Sequence, residues 1–170
     1  AWDIVAPSPK PINEKYLMPH ELTISEIQET QTAFAKAAGH ADAAGFEVLE
    51  IHSAHGYLSH TFLSPLSNLR NDEYGGDLNG RMRFTLETIE KVRAVWPVRK
   101  PLFVRISTID GADGGWTLED SIVLTNEMKS RGVDVIDCSS GGIAGPVTAS
   151  RESLPLGFRV SLSDELRRNN

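Results

Sequence analysis

The 170-residue chain is poor in several things, and each shortage removes a class of function. It has one cysteine, Cys138, so no internal disulfide framework is available and a reducing compartment suits it. No window approaches the roughly 18 to 20 unbroken apolar residues that a membrane span needs. Ala1 to Pro7 carries no basic n-region and no long apolar stretch, so no signal peptide is expected and a cytoplasmic location is. Basic charge is also short: 17 Lys and Arg stand against 23 Asp and Glu, a net −6 that argues against nucleic acid as a partner. The three tryptophans, Trp2, Trp96 and Trp116, lack the interleaved basic residues of a nucleic-acid platform and are expected to pack. No G-x-G-x-x-G follows any strand, since Gly111-Ala112-Asp113-Gly114-Gly115 has the wrong spacing for a dinucleotide loop.

What is present is a repeating order of helices and short apolar runs. Residues 6 to 19 carry four prolines and read as an extended lead-in. Thr23 and Glu26 form a capping-box signature, because each side chain can satisfy the other's orphan backbone donor. The helix this predicts runs to Ala44, with Ile27, Phe34 and Ala38 at helical spacing and Gly45 as its stop. A strand is predicted over 46–52, and 53–76 is too long for a simple connection and should hold short elements of its own. A helix from Asp77 or Leu78 to Val95, a strand over 102–107, a helix from Thr117 to Gly132 and a strand over 133–138 follow. A last helix starts near Ser163.

Strands separated by crossover helices of this length build parallel β/α units, either in an open doubly wound sheet or in a closed barrel. Polar residues gather just beyond the C-terminal ends of the strands, where barrel enzymes keep their chemistry. The barrel is therefore preferred, although three strands cannot close one.

The chemistry is concentrated in Ile51-His52-Ser53-Ala54-His55-Gly56-Tyr57-Leu58, which places two imidazoles and a phenol within six positions at a strand end. Two imidazole N–H groups can converge on one carbonyl oxygen and polarise it. A phenol with a pKa of about 10 stays protonated at neutral pH and can act as a general acid. Two other readings stay open from these residues alone. His-x-x-His is also a metal pair, though no third ligand stands at a familiar spacing, and histidines at a strand end can be purely structural.

The string continues through Phe62-Leu63-Ser64-Pro65-Leu66-Ser67-Asn68 to Arg70-Asn71-Asp72-Glu73-Tyr74-Gly75-Gly76. Over about twenty-five residues it resembles the signature of the old yellow enzyme family, flavin-dependent ene-reductases on a (β/α)8 barrel. The likeness extends weakly through Phe103-Val104-Arg105-Ile106-Ser107 and Asp137-Cys138-Ser139-Ser140-Gly141. It implies a portion of a (β/α)8 TIM barrel, about three parallel β/α units resembling the fourth to sixth. It further implies one FMN-dependent domain over 1–170 that is incomplete at both ends, since a complete barrel takes roughly 250 residues.

By that resemblance His52 and His55 bind the carbonyl or nitro oxygen of the substrate, as in the family's His/His branch, which includes xenobiotic reductases. Tyr57 falls at the proton-donor position. Arg105 falls at the strand arginine beside the electron-rich edge of FMN, the alternative being an ion pair with a neighbouring barrel carboxylate. The implied reaction passes hydride from NAD(P)H through FMN to the activated C=C bond of an enone, an enal or a nitro compound. No nucleic acid and no membrane enter it.

Two departures qualify the match. Where the family continues with Ser, a variable residue and Glu-Asn-Arg, this chain has Asp77-Leu78-Asn79-Gly80-Arg81, and Gly80 costs a helix about 1 kcal/mol relative to Ala. The resemblance also places the flavin N5 and phosphate contacts on strands outside this chain. A second expectation is therefore a non-catalytic fragment that binds no flavin alone, with open strand edges that invite homo-oligomerisation. Cys138 is expected to be a small core residue, and Asp72, Glu73 and Arg81 to organise the loop and the following helix start.

Overall fold

A computed structural model describes residues 3–143 and 156–169. The lead-in carries two residues of pairing that no periodicity announces: β1 (Val5–Ala6) lies parallel to β2 (His20–Glu21). Helix α1 (Ile24–Ala43) starts at the predicted capping box, Thr23 accepting from the Glu26 N–H and Glu26 accepting from the Thr23 N–H. It ends in a Schellman turn, with Gly45 at φ 86°, Gly45 N–H on Asp42 O and Phe46 N–H on Ala41 O. That turn consumes Phe46, so β3 runs over Leu49–Ser53, three residues later than the sequence suggests.

The remaining order is α2 (Leu58–Leu63), α3 (Leu78–Arg93), β4 (Leu102–Ser107), α4 (Leu118–Ser130), β5 (Val135–Ser139) and α5 (Val160–Arg168). Helix α2 is the short element expected inside 53–76. Asp77 and Thr117 cap α3 and α4. Strand β5 begins two residues later than predicted because a second glycine-stopped turn at Gly132 binds Val133 N–H to Met128 O. Helix α5 begins three residues earlier than predicted, with Arg159 as its N-cap.

Strands β3, β4 and β5 form one parallel sheet in that order, joined by α2–α3 and by α4. The architecture is a portion of a (β/α)8 barrel: three parallel β/α units, with no closed barrel among the described residues. Period-two alternation divides the sheet. Ile51, Leu102, Val104 and Ile106, all at most 4% exposed, face the helices and pack with Ile89, Val92, Leu124 and Met128. Each such side chain contributes about 1.5–3 kcal/mol on burial. The opposite face carries Glu50 and His52, Phe103 and Arg105, then Val135 and Asp137, all half-buried or exposed. Register aligns His52, Arg105 and Asp137 in one row across the three strands.

Candidate active site

The site grows from the C-terminal end of β3. His52 stands on the uncovered face, and the chain then turns sharply: His55 adopts φ 60° and Gly56 φ 76°. A non-glycine residue in the left-handed region is strained by about 1–2 kcal/mol, so the surroundings must hold it. The His55 N–H donates to Ser107 Oγ at 3.0 Å, and Ser107 in turn donates to Gly141 O at 2.7 Å. Gly56 packs directly on Gly142: a Cβ at position 56 would stand 2.1 Å from Gly142 O. The exits of all three strands are thereby tied together.

The turn brings three of the predicted residues into one cluster. The His52 ring centroid lies 5.1 Å from that of His55, edge to face, and 5.2 Å from that of Tyr57. Tyr57 begins α2 and is 63% exposed, so its hydroxyl is open to a ligand. Beside the cluster, Lys10, Pro11, Ile12, Leu66 and Ile143 line a hollow of about 350 Å³ together with Gly56 and Gly142. A larger hollow, about 640 Å³ along β5 and between α4 and α5, contains none of these residues.

Both imidazoles are held below their ordinary value of 6.5, by burial first and by the Arg105 guanidinium second. Glu50 and Asp137 oppose this at His52. The pair is accordingly neutral at neutral pH, with one N–H per ring. His55 Nε2 lies 2.5 Å from Ser139 Oγ. Among the described residues no third His, Cys, Asp or Glu joins the two histidines into a group able to hold a metal ion.

Arg105 does take the carboxylate partner named as its alternative. Its Nε lies 3.3 Å from Asp137 Oδ2, yet the same buried nitrogen makes no hydrogen bond of acceptable geometry. The contact is therefore one of charge, and the N–H remains directed elsewhere.

Sequence reasoning missed Ser107, Ser139, His60 and Asp110. His60 lies on α2, fully buried, and bridges the Gly56 N–H to the Asp110 carboxylate. A lone helical histidine and an aspartate before a glycine-rich loop, fifty positions apart, leave no local signature of their meeting. Of the smaller expectations, those for Trp96, Trp116 and Arg81 are borne out. Trp96 and Trp116 are buried, and Arg81 ties α3 to Leu63 O and Gly76 O. Cys138 is half-buried, its thiol raised chiefly by burial. Trp2 lies outside the described residues. No helix among the described residues is long and apolar enough to cross a membrane.

Comparison with known proteins agrees with this layout. The chain is 49% identical over 165 residues to an NADPH dehydrogenase of Bacillus velezensis, covering 97% of this chain and 47% of that protein. It thus spans about half the length of the curated relatives it matches. Among solved structures it superposes on an old yellow enzyme homologue from Zymomonas mobilis with a TM-score of 0.78 at 26% identity, over 98% of this chain and 48% of that one. A 2-naphthoyl-CoA reductase complexed with 2-naphthoyl-CoA gives a TM-score of 0.88 at 26% identity, over 98% and 26% of the two chains. Residues 3–165 match the family model described as NADH:flavin oxidoreductase / NADH oxidase, and the chain belongs to that family.

Proposed function

We propose that the whole protein is an FMN-dependent ene-reductase that takes its electrons from NAD(P)H and reduces C=C bonds activated by a carbonyl or nitro group. The observation that carries this reading is the meeting of two neutral imidazoles and an accessible phenol at the end of β3. Family membership and relatives named NADPH dehydrogenase and 2-naphthoyl-CoA reductase support it.

FMN, when bound, supplies the hydride. The residues present fit the group: the buried Nε of Arg105 makes no hydrogen bond, faces the uncovered side of the sheet and carries the positive charge that an electron-rich edge requires. Arg105 is the residue of this chain that would hold it.

The chain's own contribution is polarisation and a proton. His52 and His55 donate to the substrate oxygen and stabilise the negative charge that develops there as hydride arrives at the β-carbon. With Nε2 of His55 engaged by Ser139, its donation comes from Nδ1–H, and the Ser139 hydroxyl serves as donor to Nε2. Tyr57 delivers its phenolic proton to the α-carbon.

The test is Tyr57→Phe in the flavin-loaded holoenzyme. Loss of general-acid catalysis is expected to lower the rate of enone reduction by about 10²- to 10⁴-fold while the rate of flavin reduction by NAD(P)H is unchanged. An unchanged rate of enone reduction would remove Tyr57 from the mechanism, and a parent holoenzyme that reduces no enone would remove the ene-reductase assignment.

A further inference from the structure

His60 takes no part in the reaction above, yet its ring is fully buried and both nitrogens are used. The Gly56 N–H donates to Nδ1 at 2.9 Å, and a backbone N–H can only donate, so Nδ1 carries no proton. The ring proton sits on Nε2, which donates to Asp110 Oδ1 at 2.9 Å. Asp110 is fully buried as well. Its other oxygen accepts from Ser64 Oγ at 2.5 Å and from the Trp116 N–H at 2.8 Å, and its own N–H donates to Trp116 O at 3.0 Å. A continuous chain of directed bonds runs from the loop after β4, through α2, to the turn after β3. It ends on Gly56, in the one place among the described residues where two consecutive residues hold positive φ and one of them is not glycine.

We infer that His60 and Asp110 are positioning residues of this site, holding Gly56 so that its two neighbours, His55 and Tyr57, present their rings to His52. Asp110 sets the His60 tautomer, and the tautomer provides the acceptor that Gly56 needs. The kinetic part of this inference rests on the ene-reductase reading; the arrangement of the turn does not.

Two isosteres separate the bonds. The Asn Oδ1 can stand where Nδ1 stands and accept from Gly56, but the side chain is too short to reach Asp110. The Gln terminal amide reaches the place of Nε2 and keeps Asp110, but leaves Gly56 without an acceptor. In the flavin-loaded holoenzyme, His60→Gln is expected to lose on the order of 100-fold in kcat for enone reduction, as a displaced reacting group does, with KM moving less. His60→Asn is expected to retain most of kcat. Amide hydrogen exchange at Gly56, read without substrate, should be fast in His60→Gln and slow in His60→Asn and in the parent.

Equal losses in both variants, tracking Tm and with Gly56 exchange unchanged, would mean a merely structural pair and overturn the proposal. Nitrogen-15 NMR of the parent reads the tautomer with no variant at all, and a protonated Nδ1 on His60 would equally overturn it. If the parent holoenzyme reduces no enone, the function reading fails alone, and the Gly56 exchange pattern still decides the positioning role.

Discussion

At the scale of residues, Arg105 is the charged group with the largest influence on the two imidazoles of the site. Burial is the larger influence that keeps His52 and His55 neutral, and Arg105 is the next for both. Removing its charge while keeping the stem, as in Arg105→Met, should let both imidazoles titrate at higher pH. Proton NMR titration of the two rings measures this, and unmoved curves would mean that burial alone sets their state. The residues in this argument differ in how legible they were. His52, His55 and Tyr57 lie within six positions and Arg105 on the neighbouring strand run, so sequence could point to them. Ser107, Ser139 and Asp110 reach the turn and its helix from 52, 84 and 50 positions away, and only the register of three strands brings them there.

At the scale of elements, the helices were legible where a side chain meets a backbone group close in sequence. Thr23 with Glu26, Asp77 and Thr117 mark helix starts because each bond spans three residues. Strand starts were displaced because the glycine-stopped turns at Gly45 and Gly132 absorb the first residues of each apolar run. Gly80 shows propensity and packing pulling apart. As the third residue of α3 it lowers helix propensity by about 1 kcal/mol relative to Ala. Its N–H, however, is taken by Asp77 Oδ1 at 2.9 Å, and a Cβ there would stand 2.0 Å from Gly75 O. Gly75 is itself close-packed, its own Cβ position lying 2.4 Å from Arg70 O, so room for it to shift is small. Gly80→Ala should therefore destabilise the protein by about 1–3 kcal/mol, the cost of overpacking, against the sign that propensity gives. A lower urea midpoint at constant slope would show it; a raised midpoint would mean that the 70–76 loop yields.

At the scale of the whole molecule, the sheet is covered by helices on one face and, among the described residues, open on the other, and two sets of titratable groups respond to pH. The unfolded chain has His52 and His55 near 6.5, while the folded chain holds both lower. Between those values the unfolded state binds more protons, so stability is complete above about pH 6.5 and falls as the pH drops towards the folded values. A second set acts further down. Glu26 is lowered from 4.5 to about 2, chiefly by the Thr23 N–H and then by His20. Asp72 is lowered from 3.8, first by Arg70. Burial would raise Asp110, but His60, Ser64 and the Trp116 N–H together outweigh it. These carboxylates stabilise the fold above their unfolded values, and that stabilisation is lost below about pH 4.5. Tm against pH should thus be level from about 6.5 to about 8, decline once below 6.5 and decline again below 4.5. Replacing His52 and His55 together by Gln should abolish the first decline and leave the second. A first decline that survives this replacement would place its origin away from the site, and the neutral pair would lose its thermodynamic support.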